Sequence, residues 1–199
     1  MITVWSDISE LATLSGATKK DGRNLLPDDL GLISDAAIAF DQDKILWQGK
    51  SSSLPQQYQH SAVSLKDHVV TPEIVDSHTH LVFAGNRADE YKMRLDGADY
   101  QVIAASGGGI LSTMNATKDA DEEELFQQAK ARIERIHSYG VGTIEIKSGY
   151  ALTLEGERKL SQVIARLKSH FSPRVRIMNT FMAAHAVPKN FKSSKDYIE

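Results

Sequence analysis

From Asp121 onward the chain alternates between a helical and an extended hydrophobic period, and this alternation limits the fold more than any other feature. Over residues 121–139, Leu125, Ala129, Ile133 and Ile136 recur at helical spacing and predict one buried stripe. Asp119 or Asp121 supplies an N-cap, Glu122, Glu123 and Glu124 complement the positive end of the helix dipole, and Gly140 ends the helix. Residues 142–146 then read as a strand. A second helix is predicted over 153–170, with Leu160, Val163, Ile164 and Leu167 on one face. Pro173 closes the connection, and 175–181 is the next strand. Strands that alternate with helices predict right-handed crossovers and a parallel sheet, hence an α/β fold.

The first part of the chain has a different grammar. Residues 36–40 and 44–48 are short apolar or alternating runs, and Asp41-Gln42-Asp43 between them predicts a hairpin. The polar stretch 15–28, with Gly16, Gly22 and Pro27, reads as an excursion, and Ser51-Ser52-Ser53 as a loop. Residues 1–68 are therefore expected to form a small β domain in which Trp5 and Trp47 pack, and 69–199 the strand–helix part.

That second part opens with an apolar extended run, 69–75, followed by Asp76-Ser77-His78-Thr79-His80. Side chains alternate faces along a strand, so His78 and His80 point the same way and can share one ion. The chain has no cysteine, so a transition metal here must be held by nitrogen and oxygen. Taken alone, the pair reads first as two partly exposed histidines at a strand end, and the flanking residues reverse that order. The other unusual polar residues fall in the same kind of place: Tyr150 follows the second strand and His185 the third. In a barrel of parallel strands those ends share the catalytic face, and in an open doubly wound sheet they also border the ligand crevice.

Composition removes several classes of function. A net charge of -3 argues against a broad surface for nucleic acid. No apolar stretch reaches the roughly 20 residues needed to span a bilayer. The first residues lack the pattern of a signal peptide, so a cytoplasmic protein is expected.

Residues 71–90, which include Thr71-Pro72-Glu73-Ile74-Val75 and Asn86-Arg87-Ala88-Asp89, resemble the first barrel strand of the metal-dependent amidohydrolases, and specifically the imidazolonepropionase family. Ser106-Gly107-Gly108-Gly109-Ile110, Glu145-Ile146-Lys147-Ser148-Gly149-Tyr150 and Thr180-Phe181-Met182-Ala183-Ala184-His185 carry the same resemblance, in the family's order. The resemblance implies a TIM-like (β/α) barrel of amidohydrolase type, preceded by a small β-sandwich domain. It also implies a truncated chain, since such a barrel takes about 250 residues. In this family a further histidine and an aspartate from later strands complete the metal site, and the acid/base residues lie there too. Carried over by position, His78 and His80 become ligands of one zinc or iron ion, and Arg87, Tyr150 and His185 contacts to imidazolone propionate.

The implied activity is hydrolysis of the cyclic amide of that substrate to N-formimidoyl-L-glutamate, in histidine degradation, by a homodimer when complete. The 199-residue chain alone is expected to be inactive. Two alternatives stand beside this reading: another cyclic-amide hydrolase or deaminase of the superfamily, and a non-catalytic metal-binding fragment. Glu73 stands where the family usually has glycine. Lys147 invites comparison with the carboxylated lysine of two-ion amidohydrolases; the resembled family uses one ion, so a structural cation is the preferred reading. Gly107-Gly108-Gly109 is read as a loop needing positive φ, not as a phosphate cradle.

Overall fold

The computed structural model describes residues 1–42, 44–183, 187 and 191–198, and the chain divides into two compact units, Met1–Pro72 and Glu73–Glu199. In the first unit β1 (Thr3–Ala12) is central. It pairs antiparallel with β2 (Leu32–Phe40), which pairs antiparallel with β3 (Ile45–Lys50). The β2–β3 connection is the expected hairpin, closed by Asp41 N–H donating to the Lys44 carbonyl. Short helices α1 (Ser15–Lys19) and α2 (Gln56–Gln59) lie in the connections. Strands β4 (Ala62–Ser64) and β5 (Val69–Val70) both join β1 in parallel.

The result is one five-stranded mixed sheet, where the sequence suggested a sandwich. Each face of this sheet has its own cluster, because alternating residues of β2 point opposite ways. Ala37 and Ala39 pack with Val4 and Trp47; Ala36 and Ile38 pack with Ile8, Leu11 and Trp5. Val4 and Ile8 share parity yet lie in different clusters, since a bulge between Trp5 and Ile8, with Asp7 at φ 54, resets the alternation. The apolar run 69–75 is not continuous. It breaks around Pro72, which has no N–H for a ladder, so Val69 and Val70 stay with the first unit.

In the second unit β6 (Ile74–Thr79), β7 (Val141–Lys147) and β8 (Arg176–Thr180) form a parallel sheet in that order. Helices α3 (Ala88–Leu95), α4 (Tyr100–Ala105), α5 (Ile110–Asp119) and α6 (Glu122–His137) connect β6 to β7. Helix α7 (Leu154–Phe171) connects β7 to β8, and α8 (Ser194–Ile198) follows. The caps match the sequence reading: the Asp121 carboxylate accepts from Glu124 N–H at 2.8 Å, and Thr153 Oγ1 from Gly156 N–H at 3.2 Å. Leu125, Ala129 and Ile133 of α6 and Leu160, Val163, Ile164 and Leu167 of α7 pack on Ile144 and Ile146 of β7 and Ile177 of β8 in one core.

Alternation along β7 turns Thr143, Glu145 and Lys147 to the other face of the sheet. Helices α3 to α5 have no counterpart in the sequence reading. The reason is that α3 buries no residue fully and α5 only Thr117, so neither carries an apolar stripe. Glu73 sits at the entry of β6, where its carboxylate accepts from Thr143 Oγ1 at 2.5 Å beside Gly142. It lies at the opposite end of the strand from the histidines.

Candidate active site

Strand β6 delivers its histidines where it is locked to β7. The Thr79 hydroxyl donates to the Glu145 carbonyl at 2.7 Å, and the ladder shifts register between Asp76 and Thr79. The rings of His78 and His80 lie 6.2 Å apart, centre to centre, at 66°. With zinc–nitrogen bonds of about 2.1 Å, two rings on one tetrahedral ion have centres about 5.2 Å apart, so the pair is near this spacing but wider than it. Nitrogen donors of this kind suit zinc or iron. Among the described residues no group of three or more His, Cys, Asp or Glu is arranged to hold an ion. The residues present thus supply two nitrogen donors of the kind such a site uses, short of the usual four.

Each residue of the Lys147-Ser148-Gly149-Tyr150 stretch has a separate task. Lys147 forms a close ion pair with Glu145 Oε1, which also accepts from Thr180 Oγ1 at 2.6 Å. The hydrogen bond from Lys147, then that from Thr180, holds the Glu145 carboxyl below the usual carboxylate range; attraction from His78 adds to this. Glu145 Oε2 is buried and has no hydrogen-bond partner among the described residues. Ser148, 2% exposed, donates its N–H to the Thr180 carbonyl and accepts from Met182 N–H, which ties the end of β7 to the segment beyond β8. Gly149 adopts φ 114, a conformation that side chains disfavour, and its N–H donates to Glu157 of α7. Tyr150 then stacks on His80, with ring centres 5.0 Å apart and planes at 29°.

Arg87 stands on the other side, at the N-terminus of α3. Its Nη2 and Nε both donate to Glu90 Oε2, at 2.6 and 2.7 Å, and the guanidinium is half-exposed. The hydrogen bond to Glu90 raises the Arg87 pKa, with smaller contributions from Tyr100 and Tyr150. Glu90 is held below its usual range in return, first by Arg87. Its Oε1 accepts from Gly109 N–H at 2.9 Å, and Gly107 and Gly109 take φ 85 and 84, as the glycine run suggested. A cavity of about 210 Å³ is lined by Arg87, Glu90, Tyr91, Arg94, Tyr100 and Ile103.

The structure thus brings His78, His80 and Tyr150 together and puts Arg87 in electrostatic range of Tyr150. His185 lies outside the described residues. Glu90, Glu145 and Glu157 were missed in the sequence. Glu157 carried a signal, since it shares the buried face of α7 with Leu160 and Ile164, where an acidic residue needs a partner.

The second unit combines three parallel strands, their connecting helices and two imidazoles at the end of its first strand. The chain is similar in fold to Escherichia coli guanine deaminase, with a TM-score of 0.55 and 13% identity over 90% of the chain and 36% of that protein. It is likewise similar to an uncharacterized metal-dependent hydrolase from Pyrococcus furiosus, with a TM-score of 0.52 and 12% identity over 91% of the chain and 50% of that protein. Curated sequence relatives are more specific. The chain is 42% identical to the imidazolonepropionase of Bdellovibrio bacteriovorus, over 96% of the chain and 45% of the relative. It is 45% identical to that of Cupriavidus necator, over 95% of the chain and 47% of the relative. Over nearly its whole length the chain thus matches the N-terminal portion of curated imidazolonepropionases. It spans about half the length of these relatives. No family model matches the chain.

Proposed function

We propose that the chain provides the first half of an imidazolonepropionase, which opens the ring of 4-imidazolone-5-propanoate to N-formimidoyl-L-glutamate in histidine degradation. The likeness to curated imidazolonepropionases along nearly the whole chain carries this reading. On it, β6, β7 and β8 are the first three strands of a (β/α)₈ barrel, residues 1–68 precede the barrel as a separate domain, and the complete protein is a cytoplasmic homodimer.

In this reading His78 and His80 hold a single zinc or iron ion, with the remaining ligands supplied from outside the described residues. Such an ion, when bound, supplies hydroxide at neutral pH and polarises an amide carbonyl. Arg87 takes the propionate carboxylate. Glu90 occupies one edge of its guanidinium, and the edge carrying Nη1 forms no ion pair among the described residues. Tyr150 lays its hydroxyl against the polar rim of the heterocycle while its ring stacks on His80. His185 contributes a second polar contact to the ring. Glu145, braced by Lys147 and Thr180, keeps a negative charge facing His78 and so favours an imidazole oriented toward a cation.

The experiment is a ring-opening assay on the purified chain with metal added, using imidazolone propionate beside a panel of cyclic amides and aminopyrimidines. Turnover of imidazolone propionate is expected after mixing with the C-terminal remainder of a relative, and preference for another substrate refutes the assignment. A second reading rests on the donor set: two imidazoles and no third ligand among the described residues suit a chain that binds an ion weakly and turns over nothing by itself.

A further inference from the structure

Glu157 is fully buried, yet its carboxylate does not serve its own helix. Thr153 already caps α7, by accepting from Gly156 N–H. The Glu157 carboxylate turns to the loop that precedes the helix. Oε2 accepts from Gly149 N–H at 2.8 Å, and Oε1 accepts from Ala151 N–H at 2.8 Å and Leu152 N–H at 3.0 Å. These three amides flank Tyr150 on both sides. The loop they belong to takes positive φ at both ends, at Gly149 with φ 114, which glycine tolerates, and at Leu152 with φ 51, which is strained. A loop of this shape needs an acceptor that satisfies three convergent donors away from water, and an ionised carboxylate beside the positive end of a helix is such a group.

We propose that Glu157 is a positioning residue of the candidate active site: by gripping the amides on either side of Tyr150, it sets that ring on His80 and so couples the substrate-binding loop to the metal-binding strand. As a statement about catalysis this rests on the proposed function, which makes Tyr150 a substrate contact. The coupling of Glu157, Tyr150 and His80 stands without it. Glutamine is no substitute, because its NH₂ group must face one of the three amide donors and one hydrogen bond becomes a clash of donors. Aspartate keeps the charge but withdraws it by one methylene.

The test places 3-fluorotyrosine at position 150 of the full chain and reads its ¹⁹F resonance, together with amide exchange. In the unmodified chain the amides of Gly149, Ala151 and Leu152 should be protected like those inside β7; exchange as fast as at exposed Asn86 overturns the proposal without any variant. In Glu157→Gln these three amides should exchange at least about tenfold faster while the interior of β7 holds. The ¹⁹F signal should move toward its position in His80→Ala. In the Glu157→Gln, His80→Ala double variant the extra shift should be largely absent. A folded Glu157→Gln whose ¹⁹F signal stays put, or moves equally in both backgrounds, overturns the coupling; where the glutamine variant does not fold, Glu157→Asp is read in the same way. Failure of the proposed function looks different. Imidazolone propionate then leaves the ¹⁹F signal of the unmodified chain where it was, and the shifts in the variants remain.

Discussion

The two sides of the candidate site are built by opposite means. The Tyr150 side is knit into the core: Ser148 and Glu157 are buried, every residue from Lys147 to Leu152 except Tyr150 makes a hydrogen bond or ion pair outside its own strand ladder, and Tyr150 itself stacks on His80. The Arg87 side is built on a helix with no fully buried residue; its ion pair to Glu90 is half-exposed, and Glu90 accepts from Gly109 N–H of the glycine loop. The difference suits the two tasks. On the proposed function, a ring set against a metal ligand needs a fixed loop, whereas a guanidinium receiving a carboxylate from water profits from exposure and long reach.

Core truncation behind the rigid side should have the largest effect. Leu160→Ala removes a 1%-exposed side chain beneath α7 and should cost about 2–5 kcal/mol in chemical denaturation. Leu95→Ala on the other side, where Leu95 is 71% exposed, should stay within about 0.5 kcal/mol. Equal losses would erase the contrast. Ser148→Ala comes next: it leaves Met182 N–H without its acceptor and should cost about 1–3 kcal/mol. Arg87→Ala should change stability little, since half-exposed ion pairs contribute at most about 1 kcal/mol. In an assembled enzyme it should raise KM for imidazolone propionate about tenfold or more, and unchanged kinetics would refute its role.

The smallest effect is one of pH. Glu90 has its carboxyl pKa lowered in the folded chain, first by Arg87, so the unfolded chain binds its proton at higher pH than the folded one. Its contribution is therefore complete above the ordinary carboxylate pKa and is lost as pH falls through the lowered folded value. The Gly109 amide shift, read by NMR during acid titration, should follow that loss. A Gly109 amide indifferent to pH across the acid range would dissociate Glu90 from the glycine loop.

How much was legible beforehand follows the same division. Helices α6 and α7 and strands β7 and β8 announced themselves through apolar period and caps, because each buries a whole face. Strand alternation singled out His78 and His80, and their rings lie 6.2 Å apart, although His80 follows the end of β6. Helices α3, α4 and α5 were not, since partial burial leaves no stripe to read. Nor were the partners of the motif residues: Glu145 with Lys147, and above all Glu157 with the amides around Tyr150, are satisfied by tertiary geometry that a linear pattern does not encode. The resemblance implied a sandwich for the first unit, whereas short β4 and β5 both add to β1 in a single mixed sheet.

The most direct measurement is a cobalt(II) titration of the purified 199-residue chain, followed by visible absorption, for the unmodified protein and for His78→Ala, His80→Ala and His68→Ala. One ion per chain is expected, with binding weakened at least about tenfold by either of the first two substitutions and unaltered by the third. Binding that survives the loss of both His78 and His80 would contradict the metal-binding strand on which the proposed hydrolase depends.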